Sequence, residues 1–359
     1  MLTIGIAKLD WLMVLGWLRW GLIVAVFTLG LYGLSKWLGR MRIAPELEAG
    51  TARLEARRNR DMGMFWSLIP PVIVGLTYSS MRTYIDSYCA THIEEGAYSC
   101  LDYARRLPDT AAQILPLAVS FVVYPFLSEW AHRGEKDRLA DALVQTTRII
   151  AFIFIPATVW MVVLREGVLW FTYGDFPAAK RELSILALIA YAPGMAFFSI
   201  EGILNHWYFA MGDTKTPNYV GSACAVLHVM ISVMTVFSLD LGRYTIIGVA
   251  AALTLSKAIK VIILYALLGP RIGHVDGRAV LMFALKLTIA CALLAARLHF
   301  SSMEVLKYIE LSGRMRAMVY LAATTFDGVA IFLVAAIVLR IEETWTVITH
   351  LKRRVLRKR

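Results

Sequence analysis

Blocks of about twenty apolar residues recur along this 359-residue chain, and a helix of that length crosses the hydrocarbon core of a bilayer. Nine blocks can be read, at about 12–36, 64–88, 108–129, 148–170, 184–210, 218–238, 244–268, 279–297 and 318–341. Backbone groups surrounded by lipid must be satisfied within their own segment, so each block is expected to be a helix. The expected fold class is therefore an all-α polytopic membrane protein with about nine transmembrane helices. Composition points the same way. The chain is 58% hydrophobic and 18% charged, whereas a soluble domain carries about a quarter charged residues. Met1 to Asp10 holds one Lys, and no small-residue cleavage site follows a short apolar region, so no cleaved leader is expected.

The connecting segments set an orientation. Loops on the side of the 39–62 stretch and the C-terminal tail hold 21 of the 37 Lys and Arg residues, and the alternate loops hold 10. Excess positive charge stays in the cytoplasm. This places the tail inside and, with nine spans, the N-terminus outside. An external N-terminus without a leader implies that something upstream is missing. The charge-rich stretches 39–62 and Glu135 to Arg148 read as cytoplasmic surface helices. The net charge of +11 is assigned to inner loops and anionic headgroups rather than to nucleic acid.

Ionisable residues inside spans are costly and face protein or water. The second block holds Arg82 and Asp86, which share a helical face at i, i+4 spacing and can pair. Across a loop containing Glu94 and Glu95, the third span opens with Arg105, Arg106 and Asp109. These groups can line a polar cavity for an anion such as a diphosphate, or form structural ion pairs. Glu201, with His206 just beyond it, can be a proton or cation site, or a partner for Lys257 and Lys260. His228 reads as a hydrogen-bonded packing residue. Lys286 is expected to snorkel to the inner interface, and Asp327 to face protein or water. Proline at 70, 71, 116, 125, 156 and 193 interrupts spans, as in transporters with broken helices.

Other chemistry is poorly represented. No Gly-rich phosphate loop, nucleophile elbow or Cys-pair metal site appears, so neither an enzyme nor a cofactor or metal is expected. His92 with Glu94 and Glu95 reads as loop polarity. The four cysteines are too few for a disulfide framework. Cys224 and Cys291 sit in apolar blocks, whereas Cys89 and Cys100 flank one loop and can be bridged or free.

Two segments carry a family resemblance. Glu95-Gly-Ala-Tyr-Ser-Cys-Leu-Asp-Tyr-Ala-Arg-Arg-Leu107, followed by Ile114-Leu-Pro-Leu-Ala and Tyr124-Pro-Phe-Leu-Ser128, resembles the seventh-to-eighth helix region of the MurJ/MviN lipid II flippases. Trp207-Tyr-Phe-Ala-Met-Gly-Asp-Thr-Lys-Thr-Pro217 resembles that family's helix-exit turn, here Gly212, Asp213, Lys215 and Pro217. The resemblance covers roughly 62–340 and implies a MOP/MATE-like second lobe plus two extra C-terminal helices. It implies a single helix at 1–38 ending the first lobe, a cytoplasmic basic linker at 39–62, and a six-helix second lobe at 63–268. Two additional transmembrane helices at 279–341 and a basic cytoplasmic tail at 342–359 complete the division.

The resemblance further implies flipping of lipid II, or another polyprenyl-diphosphate-linked saccharide, across the bacterial cytoplasmic (inner) membrane by alternating access, for cell-wall synthesis. Arg106, with Arg82 and Arg105, would hold the diphosphate; Asp86, Glu201 and Asp109 would be coupling or cavity acids. The family's first-lobe arginines have no counterpart here, Arg105 stands where an acidic or small residue is common, and His206 where many members have arginine. A fragment, a split protein or a degenerate paralogue is therefore expected. Membrane lipids, a separate first-lobe segment and cell-wall synthases are the implied partners. The alternatives are a non-transporting scaffold or half-transporter, or an exporter of another polysaccharide precursor; a basic cavity disfavours a cationic drug.

Overall fold

The structure, a computed structural model, describes residues 84–174, 177–238, 242–273, 276–306 and 314–344, apart from the side chains at 114, 115 and 117–122. All of them lie in one compact unit, Leu68–Arg359. The first helix, α1 (84–91), leads through a turn to α2 (Ala97–Arg133). Then come α3 (Lys136–Val163), α4 (Arg165–Tyr173), α5 (Ala178–Tyr191), α6 (Gly194–Ala210) and α7 (Lys215–Ser238). The last three are α8 (Thr245–Leu268), α9 (Gly277–Leu306) and α10 (Arg314–Val338), with single turns of 3-10 helix at Gly242–Tyr244 and Gly269–Arg271. No strand occurs among the described residues.

Five of these helices are long and apolar enough to cross a membrane: α3, α7, α8 with its flanking turns, α9 and α10. The bent pair α5–α6 makes a sixth if it counts as one span. This is a multi-pass membrane architecture. The first expected span, the 39–62 stretch, Arg82, Pro70 and Pro71 lie outside the described residues, as does the second span up to residue 83.

Several expected boundaries move. The segment Glu135 to Arg148 is not a separate surface helix but the first turns of α3, which runs unbroken to Val163. Nothing between Lys136 and Ile155 breaks a helix, so the polar stretch and the apolar stretch form one rod. The expected span 148–170 is instead interrupted at Leu164, where α4 begins. α9 continues nine residues beyond the expected end at 297, which puts Arg297 inside a helix rather than in a loop. Of the described prolines, Pro116 and Pro125 lie within continuous α2 and Pro156 within α3. Only Pro193 sits at a break, the 43° bend between α5 and α6.

One apolar core joins α1 to α8, with Trp207 and Tyr208 of α6 fully buried in it. Their polar atoms find partners on other helices: Trp207 Nε1 donates to the Leu139 carbonyl at 3.2 Å and the Tyr208 hydroxyl to the Leu264 carbonyl at 2.8 Å. A second cluster forms where α9 packs on α3 and α10 on α4. The pair α9–α10 approaches closely at Gly328, where a Cβ would meet Leu298 Cδ2 at 2.5 Å. Small residues permit such contacts, and without a hydrophobic drive between helices in lipid, packing of this kind carries the association. Lys286 reaches the Arg340 carbonyl at 3.3 Å, tying α9 to the end of α10.

The turn between α6 and α7 is built by two residues. Gly212 adopts φ 75°, a left-handed conformation that glycine accommodates without strain. Asp213 then caps α7. Its Oδ1 accepts from the amides of Lys215 at 3.1 Å and Thr216 at 3.0 Å, and its Oδ2 from the Thr216 hydroxyl at 2.6 Å and Arg271 Nη1 at 2.5 Å. Pro217, in the first turn, needs no amide partner. Arg271 also lies over the Tyr208 ring at 5.7 Å, so this turn, α6 and the exit of α8 are held together.

Gly328→Ile should separate α9 from α10 and lower thermal stability in detergent by about 1–3 kcal/mol, the usual cost of overpacking. Gly269→Ala, whose Cβ meets nothing within 4 Å, should leave the melting temperature unchanged. Asp213→Ala removes a cap worth about 1 kcal/mol and should lower the midpoint similarly. Burial pushes the Asp213 carboxyl up, but hydrogen bonds from Thr216 and Arg271 more than offset that and hold it at about 2. A depressed carboxyl stabilises the fold above its ordinary value, and the contribution fades as pH falls from about 4 toward 2. The wild-type and Asp213→Ala melting curves should therefore converge over that window and stay apart at neutral pH.

Candidate functional site

Three clusters of charged side chains among the described residues involve the residues singled out from the sequence. The first is the opening of α2, where Asp102, Arg105, Arg106 and Asp109 share one side of the helix through i+3 and i+4 spacing. Asp102 holds both arginines: Arg106 Nη2 lies 2.7 Å from Oδ2 and Arg105 Nη2 3.5 Å from Oδ1. Arg105 Nε also lies 3.7 Å from Asp109 Oδ2. The two arginines differ in access. The Arg106 side chain is 67% exposed and that of Arg105 19%. A guanidinium has five N–H donors in a planar fork suited to phosphate oxygens, so Arg106 retains donors for an anion while held at one side. Beside this ladder, Tyr173 of α4 packs on Tyr103 with ring centroids 4.7 Å apart, and its hydroxyl donates to the Tyr103 carbonyl at 3.0 Å. Asp102 had been given no role from sequence, although its i+3 and i+4 spacing to the two arginines was readable.

The second place is the interior of α6 and α8. Glu201 is buried, and its two oxygens are taken by two ammonium groups, Lys257 Nζ at 2.6 Å from Oε2 and Lys260 Nζ at 2.5 Å from Oε1. Lys257 also lies over the Phe198 ring at 4.8 Å. Lys260 fits against α7 at Gly221, whose absent Cβ would lie 2.9 Å from Nζ. Of the two readings open for Glu201, the geometry shows the pairing one. The cluster carries a net charge of +1, and removing the carboxylate would leave two buried ammonium groups unpaired, at a cost of about 3–5 kcal/mol.

The third place joins α1 to α7. Asp86 Oδ1 lies 2.8 Å from His228 Nε2, and both residues are buried. The pair closes a separation of 142 residues. Arg82, the expected partner of Asp86, lies outside the described residues.

Other singled-out residues have structural partners. His206 Nδ1 lies 2.6 Å from the Gly202 carbonyl, and the ring packs edge-on to Tyr124 and Phe209. Asp327 meets Arg297 across α9 and α10, with Nε 2.7 Å from Oδ2 and Nη2 3.1 Å from Oδ1. All four cysteines are free and buried, so Cys89 and Cys100 are not bridged; Cys100 instead donates its thiol to the Lys180 carbonyl at 3.4 Å. His92 packs between Tyr88 and Phe237 rather than with Glu94 and Glu95. Among the described residues no group of three His, Cys, Asp or Glu side chains is arranged to hold a metal ion.

Comparison with known proteins agrees with this architecture. The fold is similar to that of a solved structure, "Lipid II flippase MurJ, inward closed conformation", with a TM-score of 0.57, 23% identity, and coverage of 78% of this chain and 55% of that one. A protein of Vibrio cholerae named "Probable lipid II flippase MurJ" is 26% identical over 239 residues, which are 65% of this chain and 44% of the relative. One of Haemophilus influenzae with the same name is 23% identical over 291 residues, 77% of this chain and 56% of the relative. The chain thus spans about half the length of the curated relatives it matches. The family described as "Lipid II flippase MurJ" matches residues 6–315, and the chain belongs to that family.

Proposed function

We propose that this chain takes part in flipping lipid II, or a related polyprenyl-diphosphate saccharide, across the bacterial cytoplasmic membrane by alternating access, in the service of cell-wall synthesis. Family membership supplies the transport class. The observation that carries the substrate reading is Arg106, an exposed guanidinium held at one side by Asp102 at the opening of α2. A diphosphate presents the oxygen geometry that such a fork binds. Arg82, outside the described residues, would add a second cation. Arg105, held between Asp102 and Asp109, would position the ladder and add to its potential rather than contact the substrate first. Residues 63–268 would form the second lobe and 279–341 the additional pair. The separate apolar cluster of α9 and α10 against α3 and α4 supports that division. The excess of Lys and Arg in one set of loops supports a cytoplasmic tail.

Among the three candidate coupling acids, Glu201 has both oxygens occupied by lysine, and Asp109 lies against Arg105. Asp86 is the acid we assign to coupling. A second reading, a half-transporter or scaffold that works with a separate first-lobe segment or with cell-wall synthases, is favoured by one observation: the chain covers 44–56% of the relatives named above.

The test is complementation. A bacterial host depleted of its own lipid II flippase would express this chain alone, or together with a first-lobe segment, and lipid II at the outer face would be followed over time. Rescue in either format is expected. Arg106→Ala should reduce outer-face lipid II by about tenfold or more, the scale on which loss of one charge-assisted contact changes an affinity. Arg105→Ala should show the smaller defect. Absence of rescue in both formats, with the protein shown to be inserted, would leave the scaffold reading in place of transport.

A further inference from the structure

Two aromatic rings stand beside the exposed arginine at the opening of α2. Tyr103 and Arg106 are three residues apart and share one face of that helix. Tyr173, the last residue of α4, lies on Tyr103 with ring centroids 4.7 Å apart and planes inclined at 50°. Its hydroxyl donates to the Tyr103 carbonyl at 3.0 Å, a contact that closes 70 residues of chain. Arg106 lies within electrostatic reach of both phenol groups. Both tyrosines are half-buried, whereas Arg106 and Thr110 on the same face are exposed. The pair is also held from behind. α4 ends at Gly174, whose φ is 54°, and Arg314 of α10 lies against it, with Nε 2.9 Å from where a Cβ would stand. A side chain at 174 would be both strained and obstructed.

We propose that Tyr103 and Tyr173 are the sugar-recognising residues of this site, packing against the first pyranose of a polyprenyl-diphosphate saccharide whose diphosphate is held by Arg106; the assignment rests on the flippase reading above. The covalent structure of such a lipid puts the ring there. Its anomeric carbon is joined through one oxygen to the second phosphorus, so a diphosphate on Arg106 has its first sugar beside it. A pyranose presents a face of C–H bonds edged by hydroxyls. The negative face of an aromatic ring suits the C–H bonds, and the polar tip of a tyrosine suits the hydroxyls. The sugar ring itself carries no charge and asks for none. Asp102 and Asp109, the carboxylates of this helix opening, are engaged by the two arginines.

The arrangement divides the work of recognition. A guanidinium binds the diphosphate of a lipid that carries its saccharide and that of the bare polyprenyl diphosphate alike. Only the loaded lipid has a ring to offer the tyrosines. The pair therefore distinguishes the lipid before its saccharide is handed on from the same lipid afterwards, a difference of affinities and not a gain in overall binding. Tyrosine suits the task because it contributes a large contact area while ordering few rotatable bonds. The hydroxyl bond of Tyr173 to α2 fixes its ring further, so the surface is formed before the lipid arrives.

Binding separates the two contributions. Lipid II and a polyprenyl diphosphate of the same chain length would be titrated onto the full chain in lipid nanodiscs at fixed ionic strength. Wild type should prefer lipid II. Tyr173→Leu and Tyr103→Leu should each lower the lipid II affinity by about threefold to tenfold, the scale of one aromatic contact. Both should leave polyprenyl diphosphate binding unchanged, which also shows that the variants are folded; either variant decides the matter should the other fail to insert. Tyr173→Phe keeps the ring and should keep the preference. Arg106→Ala should lower both affinities alike. A wild type without preference, or tyrosine variants that lose neither lipid or lose both equally, would overturn the proposal and leave the role of Arg106 intact. A wild type that binds neither lipid would remove the substrate reading itself, and the sugar site with it.

Discussion

A charge removed from water must be met by another charge or by hydrogen bonds, and this cost shapes the interior of the bundle more than any other term. Each deep charge described here is met from another helix. Glu201 of α6 meets two lysines of α8, Asp86 of α1 meets His228 of α7, and Arg297 of α9 meets Asp327 of α10. Such pairs contribute little net stability compared with apolar packing, since desolvation offsets much of the attraction. They specify instead. An acid on one helix and its base on another admit few alternative registers, because a slip by one turn would leave both groups unpaired.

Close packing supplies what the pairs do not. Gly328 lets α9 and α10 touch, and the absence of a side chain at Gly221 leaves room for the Lys260 ammonium against α7. Against these tight contacts stand two interruptions, the step at Leu164 between α3 and α4 and the 43° bend at Pro193 between α5 and α6. Each interruption divides a long apolar stretch into two shorter straight helices.

The apolar blocks were legible because their length and composition are local properties. All the expected blocks that fall among the described residues became helices. Their ends were less legible for a physical reason: hydropathy marks where charge begins, and helices continue past charge when nothing breaks them. That is why α3 begins at Lys136 and α9 continues beyond Arg297. The arginine ladder was half-legible. Arg105, Arg106 and Asp109 stood out, but Asp102, hidden in a family-like run, needed the i+4 count. The Asp86–His228 pair was not legible at all, since 142 residues separate its members and no local pattern joins them. From sequence His228 reads as a hydrogen-bonded packing residue, and the bond it makes is to Asp86.

The two buried acids of the bundle differ in the partners that meet them. Glu201 lies between two ammonium groups at 2.5 and 2.6 Å, and every lone pair facing the interior has a cation beside it. Protonating it would leave two positive charges uncompensated, so its charge is held. Asp86 faces a single imidazole, and its second oxygen has no hydrogen-bond partner. The two acids thus join different helices in different ways: Glu201 ties α6 to α8 through two lysines, and Asp86 ties α1 to α7 through one histidine. The distinction arises from the partner each acid has, lysine in one case and histidine in the other.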